Sequence, residues 1–200
     1  MTKSAEANGR PDPHTRILVT AYELFSHRGI RDVGVDELIR ESGVAKATFY
    51  RHFASKDALA LAFLQRRDEL WMMGSVVPAA RRRADEPEEQ LLAIFDVYDE
   101  WFQHDDFEAC SFVKVLLEMG AEHPLGKASI EYLGKIRQQV RILADEAGLR
   151  DSLAFSRSWH ILMKGCIISA AEGDLMAARR ARKMGAWLIA DHRMDPQLAD

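Results

Sequence analysis

"ESGVAKATFYRHFASKDAL", Glu41 to Leu59, is the stretch whose reading decides the fold. It holds a glycine turn at Gly43, a very short helical segment from Lys46 to Phe53 and, at Ser55, the cap of a further helix. So short a helix cannot stand alone in water. Phe49 and Phe53 are one helical turn apart and fall on one face, near Val44. They are expected to pack inward against Leu38, Ile39 and the first helix. Lys46, Ala47, Thr48, Tyr50, Arg51 and His52 are then left pointing outward. Two aromatic anchors hold the segment, and its other side offers small residues, donors and cations to a partner.

Working outward, the hydrophobic period is helical almost throughout. "TRILVTAYELFSHRG" places Ile17, Leu18, Ala21, Leu24 and Phe25 at helix spacing and stops on Gly29. Val35 to Ser42 reads as a short second helix. Ser55 opens a long fourth helix, which Gly74 and Pro78 should end or bend. "RRRADEPEEQ" is a charged break, and Pro87 suits the first turn of the next helix. Further helices are expected at roughly 87–104, 107–119, 125–147, 152–171 and 174–192. The chain therefore reads as all-α, about nine helices, with a small three-helix unit first and a larger helical body after it. The N-terminal "MTKSAEANGR", residues 1–10, reads as a disordered polar tail.

The 200 residues are 48% hydrophobic and 29% charged, a soluble composition with room for a real core. The net charge of −4 is unevenly spread. Residues 1–67 hold 11 Lys and Arg against 8 Asp and Glu; the rest hold 16 against 23. A basic end on an acidic body suggests a polyanion held at one end. The apolar runs are too short for a membrane span, and no secretory leader opens the sequence, so a cytoplasmic location is expected. Two cysteines, Cys110 and Cys166, make neither a disulfide framework nor a zinc site.

A helix that exposes donors beside small residues fits the major groove of double-stranded DNA. Ala47 and Thr48 let the first half of the helix lie close to base edges. Tyr50, Arg51 and His52 can reach flanking phosphates, and Lys56, in the first turn of the next helix, makes a further phosphate seat. Lys46 completes the outward set.

At these residues the chain resembles the TetR-type transcriptional regulators. The carrying strings are "A-x-E-L-F-x-x-x-G" at 21–29, "V-D-E-L-I-R-E-S-G-V" at 35–44 and "T-F-Y-R-H-F-x-S-K-D-A-L" at 48–59. The resemblance implies a helix-turn-helix DNA-binding domain over 11–71, with the reading unit at 34–53. It implies a ligand-binding and dimerisation domain over 72–200. The string at 107–128, "FEACSFVKVLLEMGAEHPLGKA", resembles a "GC-x-F … E … HP" pattern from one branch of these regulators. Two positions depart from the family. Gly34 stands where many members start the second helix with Thr or Ser, and Ala45 stands where many carry a capping Ser. Loss of such a cap costs about 1 kcal/mol and removes one phosphate contact.

The resemblance implies a homodimer, a palindromic operator and release by a small effector. Bulky apolar residues in the body suit an apolar or aromatic one, with Phe63, Trp71, Trp101, Phe102, Cys110 and Met163 as the candidate pocket. The alternative is a DNA-binding regulator, activating or architectural, without a small-molecule ligand. Apolar stripes on the last two helices supply candidate dimer contacts: Ile161, Ile167, Ala170, Met184, Trp187 and Leu188. His104, Asp105, Asp106, Cys110 and His123 match no metal-ligand spacing, so no metal or other cofactor is expected. "RRARK" at 179–183 reads as a solvated helix face. No catalytic constellation emerges, so an enzyme is not expected.

Overall fold

The structure is a computed structural model in which residues 11–70, 72–105 and 107–193 are described. The expected tail at 1–10, Trp71 and Asp106 lie outside them. The described residues form ten α-helices, one π-helical segment and no strand. The helix beyond the expected set arises where Gly74 and Pro78 interrupt the chain. There the backbone forms a π-helical segment, Met72–Val76, and a short helix, Val77–Arg83. The chain divides inside its fourth helix, between Phe63 and Leu64, into two compact units. That division falls earlier along the helix than the expected domain boundary at 71.

The first unit holds α1 (Pro13–Arg28), α2 (Val35–Ser42), α3 (Lys46–His52) and the start of α4 (Lys56–Leu70). Asp12 caps α1 by accepting from the backbone N–H groups of His14 and Thr15, and Pro13 opens its first turn. Between α2 and α3 the chain reverses at Gly43, whose left-handed backbone, φ 62° and ψ 38°, a side chain would strain. Ile17, Ala21, Leu38, Phe49, Leu59 and Phe63 are wholly buried. Ile39, expected inward with Leu38, is only half-buried. Arg28, at the end of α1, donates to Asp32 and to Glu37 of α2 at 2.8 and 2.7 Å, and its hydrogen bond, with its charge behind it, holds the Glu37 carboxyl below the usual carboxylate range.

The second unit contains α5 (Val77–Arg83), α6 (Pro87–Trp101), α7 (Ser111–Met119), α8 (Pro124–Glu146), α9 (Ser152–Ala171) and α10 (Ala177–His192). Helix α9 packs against both α8 and α10, and α10 also packs on α6. Phe95, Phe155 and Trp159 stack at their meeting point, with ring centroids 5.1 and 5.2 Å apart. Gly185 lets α10 lie against that stack. A Cβ there would stand 2.8 Å from the Trp159 ring. Arg179, Arg180 and Lys183 are exposed, as expected of a solvated face, and two arginines of this stretch also reach across to α6. Arg179 pairs with Asp99 and Arg182 with Asp96 of α6, each at 3.0 Å. These exposed pairs fix register and add little stability, about 0–1 kcal/mol apiece.

Candidate nucleic-acid interface and effector pocket

Helix α3 presents the surface its sequence implies. Phe49 is wholly buried and Phe53 nearly so, while Lys46, Ala47, Tyr50 and Arg51 are exposed. Thr48 and His52 are half-buried at the edges of that face. His14 of α1 stacks on Phe53, centroids 4.9 Å apart, and meets His52 edge-on. Ala45 gives α3 no side-chain cap, so the N–H groups of its first turn are left open. Lys46 lies 3.7 Å from Asp36 across the turn, a pair exposed enough to be exchanged for a phosphate.

Lys56 behaves differently from its expected role. Its ammonium donates to the carbonyl oxygens of Ile30 and Val33, at 2.9 and 3.1 Å, in the loop between α1 and α2. Two of its three N–H donors are thereby spent inside the fold, which leaves at most one for a phosphate. Lys56→Ala is accordingly expected to lower the stability of the first unit by about 1–3 kcal/mol, the usual loss for bonds from a charged donor. Calorimetry checks this. An unchanged melting midpoint, with a reduced salt dependence of DNA binding, would return Lys56 to the phosphate role.

In the second unit a closed pocket gathers Trp101, Cys110 and Met163 from the expected ligand set. Tyr98, Phe112, Ile136 and Ile167 complete its apolar wall, and Arg67, Ser111, His160 and Lys164 give it a polar one. The enclosed room is about 20 Å³, enough for one water, so a larger occupant has to displace side chains. Burial pushes the Tyr98 hydroxyl and Cys110 thiol up, keeping both neutral. A neutral thiol is a poor nucleophile.

Two expected pocket residues lie elsewhere. Phe63 is wholly buried in the first unit, edge-on to Tyr22 and Phe25 at 5.5 and 5.7 Å. Phe102 packs on Trp101 and Phe107 with centroids 5.6 and 5.0 Å away, behind the pocket wall. The four polar lining residues were not in the expected set. A His and a Lys one turn apart within the apolar pattern of α9 were the available signal. His123 caps α8 by accepting from the Leu125 N–H, and no cluster of metal-ligating side chains occurs among the described residues.

The outer faces of α9 and α10 carry exposed apolar side chains. Ile161 is 66% exposed, Met184 49% and Trp187 71%. Leu188 is half-buried. Ile167 and Ala170, expected in the same stripe, are 5% and 4% exposed and belong to the protomer's own core. They are removed from the candidate interface because they lie on the side of α9 that packs inward.

Residues 17–63 match the family model described as bacterial regulatory proteins, tetR family. Over 96 residues the chain is 33% identical to the HTH-type transcriptional activator FasR of Mycolicibacterium smegmatis. That match spans 48% of this chain and 43% of FasR, so less than half of the curated relative is covered. Over 109 residues it is 26% identical to the HTH-type transcriptional repressor NemR of Escherichia coli, about half of each chain. The crystal structure of a TetR-family transcriptional regulator from Streptomyces coelicolor superposes with a TM-score of 0.82 at 26% identity, covering 90% of this chain and 95% of that one. Reduced E. coli NemR superposes at 0.77 over 92% of this chain and 100% of its own, and at 19% identity it shows the fold alone. No helix among the described residues is long and apolar enough to cross a membrane.

Proposed function

The chain belongs to the TetR family of bacterial transcriptional regulators, and from that premise we propose that it is an effector-responsive repressor that binds a palindromic operator as a homodimer. The exposed face of α3 carries this reading. Lys46, Ala47, Tyr50 and Arg51 stand out from a helix fixed by two buried phenylalanines. Ala47 and Thr48 take the base edges, and Lys46, Tyr50, Arg51 and His52 take phosphates on either side. Two such helices related by a two-fold axis read two half-sites one turn of DNA apart.

The effector occupies the pocket lined by Trp101, Cys110 and Met163. Helix α4 supplies the link, because it is continuous from Lys56 to Leu70. Lys56 clamps the α1–α2 loop from the stretch of α4 in the first unit, and Arg67, on the stretch of α4 in the second unit, lines the pocket. An effector that widens the narrow room acts on the second unit's stretch of this shared helix. It therefore shifts the equilibrium between the DNA-bound and released forms, with a typical coupling of about 1–3 kcal/mol.

Binding to a fragment of the chain's own promoter, followed by fluorescence anisotropy, tests the DNA reading. Arg51→Ala is expected to weaken specific and random DNA alike and to lower the salt slope by about one. If affinity and slope both stay at the parent values, α3 is not the reading helix.

A further inference from the structure

The pocket is not the wholly apolar room that its aromatic residues suggest. Ser111 and His160 are 2% and 3% exposed, yet the Ser111 Oγ and His160 Nδ1 have no hydrogen-bond partner among the described residues. Buried polar atoms are rarely left so. Ser111 opens α7, a nine-residue helix whose Cys110 cap gives no side-chain bond. The N–H groups of Phe112 and Val113 face the weakly accepting Cys110 thiol, so the positive end of the helix dipole lies at residues that line the pocket and is only weakly compensated.

Lys164 follows His160 by one turn of α9. It is half-buried and forms no ion pair among the described residues. Burial first, then the charges of Lys164 and Arg137, push the His160 imidazole down to about 3, so it stays neutral at physiological pH. Arg67 adds a second positive charge to the wall. No carboxylate is among the described lining residues. A water could satisfy Ser111 and His160, but it brings no negative charge to the half-buried Lys164.

The approach to this wall is basic as well. Arg137, Arg141 and Arg157 line an open groove that shares His160 and Lys164 with the closed pocket. A cleft lined by one sign of charge draws in the opposite sign.

We propose that the effector is an amphipathic organic acid. Its carboxylate is received by Lys164, the Ser111 hydroxyl and the first turn of α7, and its apolar body displaces side chains along Trp101, Phe112 and Ile136. This rests on the effector-pocket reading above and names the chemistry of that site. A carboxylate only accepts, so the neutral His160 ring meets it in the tautomer whose Nδ1–H donates.

The test uses two matched series on the intact protein: decanoate, decanamide and decylamine, then 1-naphthoate and 1-naphthamide. Each is titrated by calorimetry and added to the operator complex. The parent chain is compared with Lys164→Met and with Lys183→Met, an exposed cation on α10 that serves as the charge control. At least one acid is expected to bind and release operator, with its amide and amine weaker by about tenfold or more, the scale of a charge-assisted bond. Lys164→Met is expected to erase that advantage, bringing acid and amide to similar affinities, and Lys183→Met to leave it intact. Amides that bind and release as well as the acids overturn the acid head while the pocket reading stands. An acid preference that survives in Lys164→Met overturns the assigned seat. No binding and no release by any member of either series overturns both readings together.

Discussion

Trp187→Asp is expected to turn a sedimenting dimer into a monomer and to abolish operator binding, while the protomer keeps its fold. Trp187 is 71% exposed on α10, one turn from Met184, so little inside the protomer depends on it. Its melting temperature as a protomer should stay close to the parent value. An exposed tryptophan buried at an interface core is the kind of anchor whose loss costs about 2 kcal/mol or more. Two-fold symmetry counts that contribution twice. Aspartate removes it and adds a charge whose burial costs several kcal/mol more. Beside it, a groove between α9 and α10, bordered by Ile161, Gly165, Ala181 and Met184, gives a partner's side chains somewhere to enter. A monomer carries one recognition helix, and one helix contacts too few base pairs for tight specific binding. Analytical ultracentrifugation and anisotropy, on the same sample, decide this. A folded Trp187→Asp dimer with parent affinity for operator would take α10 out of the interface.

How far the sequence could be read depended on how many faces each helix keeps apolar. Helix α3 was legible because only Phe49 and Phe53 can turn inward. With one apolar face, period alone orients the helix. Helix α9 is apolar on two sides. Ile167 and Ala170 pack into the protomer, while Ile161 and Ile168 stand out from it, and spacing by itself does not say which stripe meets a neighbour. The pocket was half legible for a related reason. Bulk marks a residue as interior, but not as wall or filler, so Trp101 and Met163 line the room while Phe63 and Phe102 fill cores beside or away from it. Its cations were hidden because Arg67 and Lys164 look, in sequence, like any charged residue on a helix surface. Lys56 shows the converse limit. An exposed-looking cation near a DNA-reading helix suggests phosphate, and only the fold reveals the two carbonyls it clamps.

Phe49→Ala is expected to destroy DNA binding through folding rather than contact. Phe49 is wholly buried, and removing a buried phenyl ring costs about 3–5 kcal/mol. Domain stability as a whole is typically about 5–15 kcal/mol, and a unit as small as the first one falls near the low end. The loss also lands on a seven-residue helix that has no side-chain cap and no independent stability. Its edge-on contact with Tyr50 and its packing against Phe53 go with it. Helix α3 should therefore open while the second unit, with its own core, stays folded and dimeric. Tyr50→Ala provides the contrast. Tyr50 is 45% exposed and loses mainly its edge-on contact with Phe49, so its replacement should shift stability by only about 0.5–1.5 kcal/mol while still weakening operator binding. Hydrogen exchange at the amides of residues 46–53 separates the two cases. Protection should vanish in Phe49→Ala and persist in Tyr50→Ala, although both bind operator less well. If Phe49→Ala keeps both its protection and its affinity, the aromatic anchors are not what holds the recognition helix in place.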